Sequence, residues 1–281
     1  MATGGNLLEV GSETWLYREA EPLNSNNRPP VILLHGLVSQ SYSWREVLPA
    51  LAQQGFRAIA PDWLGCGYSS MPDRRDFAYT PDAFIQALEE FVNALGLEKF
   101  SLVAQGFLGS VGIQYALRHL EQIDRLAVFN APIFQGAKLP WKLQQMSIPL
   151  VGDMMTQDPL LVDRTLEGGG GYRIEDKDLD VYRRPWLKTS DVGRSLLAIL
   201  QNLQLKQATA EIEAGLKAWE RPLLVGWGVR DPLLAIENAK AIAASNSNAE
   251  FVELDEVGHY AQEDWHEKVI EVLLPFLRRQ S

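Results

Sequence analysis

Short, mostly apolar runs alternate with stretches of helical periodicity along both ends of this chain. Residues 30–34, 56–60, 100–105 and 126–129 form such runs, each bounded by glycine, proline or polar residues. Runs of this kind suit the strands of a parallel sheet that is covered on both faces. Residues 81–95 predict a helix, with proline at its first position and glycine after its end. The alternation predicts an α/β fold: a mostly parallel, doubly wound sheet with ligands at the carboxyl ends of its strands.

The middle of the chain breaks this alternation. In residues 131–218, helical patterns are interrupted by prolines and by the glycine run 168–171. Strands and helices alternate again from residue 219 onward. We therefore predict a core made of residues 1–130 and 219–281, with residues 131–218 as a helical insertion between two strands.

Composition narrows the classes of partner. Acidic residues outnumber basic ones by 36 to 26, which gives a net charge of −10. Because surfaces that bind nucleic acid or anionic membranes favour clusters of Lys and Arg, we expect neither partner.

No apolar run reaches the roughly 18 residues of a membrane-spanning helix. The single cysteine, Cys66, argues against a disulfide framework or a multi-cysteine metal site. We expect a cytoplasmic protein without metal or cofactor.

A first candidate site follows the predicted strand 30–34. Gly36 lets the backbone turn sharply after that strand, so the amide of Leu37 can point into the cleft. An amide in that position stabilises negative charge on a carbonyl oxygen. His35 itself is expected to be structural.

Two further candidates follow later strands. Asp231 comes after the predicted strand 222–226, where it either orients a histidine or caps a helix that starts at Pro232. The sequence leaves these two roles open. His259 lies just past the last predicted strand, residues 250–254, and is the histidine that Asp231 would orient.

These sites belong to a longer set of motifs that resembles a known family. The motifs are His35-Gly36-Leu37, Ser43-Trp44-Arg45, residues 61–69, the turn at residues 105–109, residues 227–232 and Gly258-His259. In this order they resemble the α/β-hydrolase superfamily, in particular the branch of haloalkane dehalogenases, epoxide hydrolases and related lyases. The resemblance implies that the amides of Leu37 and Phe107 form an oxyanion hole. It also implies that Asp231 and His259 are the acid and base, and that the insertion is a helical cap.

The chain departs from that family where its nucleophile belongs. The strand 100–105 runs into a helix through a tight turn with Gly106 at its apex, and glycine has no side chain that attacks a substrate. Gln105 and Leu108 also differ from the family's usual residues, and Phe107 is not the halide-binding Trp. Carboxylate-nucleophile dehalogenation is therefore excluded in this register. Glycine adopts the positive φ of such an apex without strain.

Two other residues are weaker candidates for a nucleophile. Ser110 lies at the apex of a turn if the strand extends through Gln105 and Gly106, although the strand already ends well at Gln105. Cys66 lies on a Gly-rich loop near the cleft and needs a stabilised thiolate to react. Its simpler interpretation is a small residue in a turn.

Three interpretations of function stay open at this point. His259 acts as general base without a covalent intermediate, in direct hydrolysis or elimination. Alternatively the protein binds a ligand without chemistry, or it is a covalent ester hydrolase that uses Ser110 or Cys66. In each case the expected partner is a small apolar molecule in a capped cleft. Four aromatic residues are the predicted ligand contacts: Trp63, Trp141, Tyr182 and Trp186.

Overall fold

One sheet organises the computed structural model, which describes residues 4–24, 27–148 and 150–279. Its strands are β1 (Asn6–Val10), β2 (Glu13–Ala20), β3 (Val31–Leu34), β4 (Ala58–Pro61), β5 (Phe100–Gln105), β6 (Ile123–Phe129), β7 (Leu223–Gly228) and β8 (Ala249–Leu254). Their order across the sheet is β1-β2-β4-β3-β5-β6-β7-β8. Neighbours from β4 to β8 run parallel, whereas β1 with β2 and β2 with β4 are antiparallel. The predicted mostly parallel α/β sheet is confirmed.

Helices cover both faces of this sheet. They are α1 (Val47–Gln53), α2 (Pro81–Ala94), α3 (Gly106–Arg118), α4 (Trp141–Met146), α5 (Val151–Met155), α6 (Leu161–Gly170), α7 (Asp176–Lys188), α8 (Asp191–Asn202), α9 (Leu205–Lys217), α10 (Ile236–Ala244), α11 (Ala261–Asp264) and α12 (His266–Arg278). Helices α4 to α9, called the inserted helices below, lie between β6 and β7. The exact limits of the insertion at residues 131 and 218 stay a prediction. Among the described residues, no helix is long and apolar enough to cross a membrane.

The central parallel strands β3 and β4 are apolar throughout because both of their faces are buried. Along β3, Ile32 and Leu34 pack into the layer that holds α2 and α3, while Val31 and Leu33 pack into the layer that holds α1 and α12. Successive side chains of a strand point to opposite faces, so each face receives every second residue. A sheet covered in this way exposes only its strand ends, and the candidate residues lie at the carboxyl ends.

Candidate active site

The turn between β5 and α3 holds Gly106 at φ +70, in the left-handed region. A Cβ on Gly106 would lie 3.0 Å from the Cα of Gly36 and 3.4 Å from Nε2 of His259. The apex of the turn therefore faces the imidazole across a short gap that no side chain of residue 106 fills. Because glycine adopts this φ freely, the turn keeps its shape without the strain that a residue with a Cβ carries.

Asp231 and His259 meet at the carboxyl ends of β7 and β8. His259 Nδ1 lies 3.0 Å from Asp231 Oδ2, and both side chains are buried. Since an ionised carboxylate only accepts hydrogen bonds, Nδ1 donates and Nε2 keeps its lone pair on the side facing Gly106. This is the arrangement in which a carboxylate orients an imidazole and stabilises its protonated form.

The Asp231 carboxylate is fixed by three further donors. Its Oδ1 accepts from the amides of Leu233, at 2.7 Å, and Leu234, at 3.2 Å. Its Oδ2 also accepts from the side-chain amide of Asn130, at 2.8 Å. No helix begins at Pro232, because α10 starts only at Ile236, so Asp231 holds a turn rather than capping a helix.

Asn130 is a site residue that sequence reasoning missed. It directly follows β6, has φ +46, and its Oδ1 accepts from the amide of Gly228 at 3.0 Å. One side chain thus ties the end of β6 to both β7 and the Asp231 carboxylate. The available signal was its position, since a polar residue directly after a buried strand lies at the same sheet edge as the other candidates.

Gln105 connects the three loops of the site. Its side-chain NH2 donates to the carbonyl of His259 at 2.7 Å, and its Oε1 accepts from the amide of Gly36 at 3.2 Å. The residue before the apex therefore sets the spacing between the loop that carries Leu37 and the loop that carries the imidazole. The sequence marked Gln105 only as a departure from the family pattern.

The predicted oxyanion amides belong to the residues that follow Gly36 and Gly106, the two glycines that approach each other at this turn. The backbone N–H groups of Leu37 and Phe107 make no hydrogen bond with any residue that the structure describes. Phe107 is the second residue of α3, where helix geometry leaves N–H groups without a partner within the helix. Unpaired donors near a general base are the arrangement that stabilises a developing oxyanion.

His35, by contrast, has a structural role. Its ring is fully buried, with Nδ1 2.8 Å from the carbonyl of Gly36, and its Nε2 accepts from the amide of Trp63 at 3.2 Å. Burial lowers the pKa of this imidazole and keeps it neutral. It shapes the loop before Leu37 and does not face the gap at Gly106.

A cavity of about 920 Å³ lies between the sheet edge and the inserted helices. Leu37, Phe107 and Tyr260 line it from the core side, and Trp141 lines it from α4, so a ligand contact for Trp141 stays a prediction. Gly106 and His259 are not part of its wall. Phe107 and Tyr260 pack against the imidazole, with ring centroids 5.5 and 5.0 Å away, and the His259 side chain is only 2% exposed.

Three of the four aromatic residues predicted to contact the ligand lie outside this cavity. Trp63 is buried in the core against Trp15 and Phe84, with Nε1 donating to the carbonyl of His35 at 3.1 Å. Tyr182 is also buried, and its hydroxyl donates to Glu263 at 2.6 Å, outside the cavity lining. The structure does not support a ligand contact for either side chain.

Trp186 lies in a different place again. It lines a second cavity, of about 400 Å³, together with residues of α7 and of the segment after α5. Trp186 lies four residues after Tyr182, so both side chains are on the same side of α7. That side carries Tyr182 to Glu263. The predicted role of Trp186 in the main cavity is therefore corrected.

The alternative nucleophiles are both unsuited to attack. Ser110 lies within α3, fully buried, and its hydroxyl donates to the carbonyl of Phe107 at 2.7 Å. The register that placed Ser110 at an apex is wrong, because β5 ends at Gln105 and the turn falls on Gly106. Cys66 is buried, and burial raises the pKa of its thiol well above the ordinary value, which disfavours the thiolate.

Comparisons with known proteins bear on the fold. A family model described as alpha/beta hydrolase fold matches residues 29–264. A cis-3-alkyl-4-alkyloxetan-2-one decarboxylase from Xanthomonas campestris is 25% identical over 268 residues, covering 89% of this chain and 88% of the relative. A haloalkane dehalogenase from Mesorhizobium japonicum is 27% identical over 252 residues, covering 84% and 80%. The crystal structure of haloalkane dehalogenase DbeA from Bradyrhizobium elkani superposes with a TM-score of 0.86 at 25% identity, covering 98% of this chain and 97% of that one.

Proposed function

This chain belongs to the α/β-hydrolase fold family, and from that premise we propose that it hydrolyses an apolar ester by general-base catalysis, without a covalent intermediate. The observation that carries the proposal is the gap at Gly106. A Cβ on Gly106 would lie 3.4 Å from Nε2 of His259, and Oδ2 of Asp231 lies 3.0 Å from Nδ1 of the same ring. A water molecule in that gap replaces the side chain that attacks in a covalent hydrolase.

The reaction follows from these positions. The water oxygen forms a bond to the carbonyl carbon of the ester while its proton passes to Nε2 of His259. Asp231 stabilises the imidazolium, and the amides of Leu37 and Phe107 stabilise the oxyanion. When the tetrahedral intermediate collapses, the carbon–oxygen bond to the alcohol breaks, and the imidazolium returns its proton to the departing alkoxide. An acid and an alcohol are released.

The cavity suits an apolar substrate. Its inner wall is made largely of aliphatic and aromatic side chains, among them Leu37, Phe107, Leu143 and Met146. The decarboxylase relative acts, by its name, on a cyclic ester with two alkyl substituents. Alkyl-substituted cyclic esters therefore belong in the substrate panel beside short-chain p-nitrophenyl esters and epoxides. In this proposal residues 131–218 act as the cap over the substrate.

The test compares turnover by the wild type, His259→Ala and His266→Ala. His266 is a partly exposed histidine at the start of α12 and serves as the matched control. We expect His259→Ala to lower kcat/KM by about 10² to 10⁴-fold, the usual contribution of a general base. His266→Ala should keep wild-type activity. Turnover that survives in His259→Ala would contradict the proposal.

A second function is favoured by a different observation. Gly106 and His259 do not line the cavity, and the His259 side chain is 2% exposed behind Phe107 and Tyr260. A protein that only binds apolar ligands needs no access to that imidazole. Saturable ligand binding with no turnover by the wild type, together with activity in Gly106→Ser, would favour this second function.

A further inference from the structure

An exposed apolar surface lies on the inserted helices beside the cavity. It consists of Trp141, Ile148, Leu150, Val151 and Met154, and is called the α4–α5 face below. Leu150 is 77% exposed, Met154 75% and Trp141 64%. Apolar side chains exposed singly are common on protein surfaces, whereas five large ones within such a short segment mark an interaction surface.

Packing fixes which side of these helices points outward. Leu143 and Met146 of α4 are buried. On α5, Gly152 is buried against the carbonyl of Met146 and the side chain of Leu197 on α8. Val151 and Met154 are three residues apart and share the other side of α5. The exposed side chains therefore do not belong to the core of the inserted helices.

The charge around this face differs from the rest of the chain. Residues 126–152 contain no acidic residue, although the chain has 36. Within that stretch, Lys138 and Lys142 are exposed and form no ion pair with a residue that the structure describes. Asp153, on α5, is the nearest carboxylate that follows along the chain. The acidic residues that give the chain its net charge of −10 therefore lie outside residues 126–152.

One residue of this face and the two lysines beside it also line the cavity. Lys138, Trp141 and Lys142 are exposed and contribute to a lining that also includes Leu37 and Phe107 on the core side. The cavity therefore opens beside the α4–α5 face.

We propose that the α4–α5 face docks on a lipid bilayer that carries anionic headgroups. The apolar side chains enter the boundary between headgroups and acyl chains, and Lys138 and Lys142 contact the headgroups. The face and its edge carry two exposed lysines, Lys138 and Lys142, and one exposed carboxylate, Asp153. Their net charge is positive, so a second copy of the same face would repel it, whereas anionic headgroups would attract it.

Co-sedimentation with vesicles tests the proposal without any substrate, so it stands apart from the proposed hydrolysis. The vesicles are phosphatidylcholine mixed with phosphatidylglycerol, and phosphatidylcholine alone. The variants are Leu150→Glu/Met154→Glu, Lys138→Gln/Lys142→Gln and the control Leu23→Glu, a single substitution of the same kind at a side chain that is 94% exposed in the loop after β2. All altered side chains are exposed, and far-UV circular dichroism checks the fold.

We expect the wild type and Leu23→Glu to bind the mixed vesicles more tightly than phosphatidylcholine alone. The double glutamate variant should lose at least about tenfold in partitioning, because it places charge where apolar side chains enter the membrane. The double glutamine variant should lose roughly fivefold per lysine on the mixed vesicles only. Absence of wild-type binding, or binding unchanged in the double glutamate variant, overturns the proposal. So does a wild-type dimer in analytical ultracentrifugation that the double glutamate variant dissociates, because it assigns the face to a second copy.

Discussion

At the scale of single residues, Gly106 both opens the candidate site and keeps its loops close together. Its Cα lies so near Gly36 that a Cβ on either residue would contact the backbone of the other, at 3.0 and 3.1 Å. Both the gap beside His259 and the close contact between the two loops therefore require that residue 106 has no Cβ. A side chain at residue 106 must displace Gly36 or accept strain at φ +70.

Replacing Gly106 with alanine is expected to cost more stability than positive φ alone explains. Gly96 provides the control, with φ +67 and no atom within 4 Å of the position that a Cβ would take. We expect Gly96→Ala to lower the free energy of unfolding by about 1 kcal/mol and Gly106→Ala by about 2–3 kcal/mol, measured by urea denaturation. Equal losses would show that the contact with Gly36 carries no cost.

At the scale of elements, the end of α6 is shaped to approach the loop that carries His259. The amide of His259 donates to the carbonyl of Gly169 at 2.8 Å. A Cβ on Gly169 would lie 2.6 Å from the ring of Tyr260, and one on Gly170 would collide with the carboxylate of Asp264. The glycine run, which the sequence marked only as an interruption of helical patterns, is what lets an inserted helix touch the active-site loop.

Two neighbouring glycines of α6 should respond in opposite directions. Gly168→Ala meets no atom within 4 Å and replaces glycine inside a helix, so we expect a gain of about 0.5–1 kcal/mol in the free energy of unfolding. Gly169→Ala should lose about 1–3 kcal/mol, because the ring of Tyr260 must move. Thermal or urea denaturation measures both, and a neutral Gly169→Ala would contradict the close packing.

At the scale of the whole molecule, one partly buried carboxyl couples stability to pH where the inserted helices meet the core. Asp264 accepts from the amide of Gly258 at 2.8 Å. Burial raises the pKa of Asp264 to about 7, against the lowering effect of that hydrogen bond. The folded protein keeps a proton that the unfolded chain releases near pH 4. The contribution to stability is therefore full below about pH 4 and is lost as pH rises to about 7.

Replacing Asp264 with asparagine should remove this pH dependence. We expect the difference in unfolding free energy between pH 5 and pH 8 to shrink by roughly 3 kcal/mol in Asp264→Asn, from urea denaturation at both pH values. Asp255→Asn, at a nearby exposed carboxyl, should keep the wild-type difference. An unchanged slope in Asp264→Asn would show that this carboxyl does not titrate between those values.

The sequence predicted the sheet well because buried strands have a distinctive composition that does not depend on distant contacts. It also located Gly106, Asp231 and His259, since the carboxyl ends of parallel strands gather at one edge. Of the four aromatic residues expected to contact a ligand, only Trp141 lines the cavity. Tyr182 and Trp186 share one side of α7, and whether that side faces a ligand or Glu263 depends on how the helix packs, which periodicity does not encode.

The glycine at the apex has an evolutionary consequence. A turn that glycine holds without strain preserves the loops around His259 in the absence of an attacking group. Codons for serine, aspartate and cysteine each lie a single base change from a glycine codon. One base change therefore brings a nucleophile beside an Asp–His pair that is already in place, at the cost of the close contact between its Cβ and Gly36.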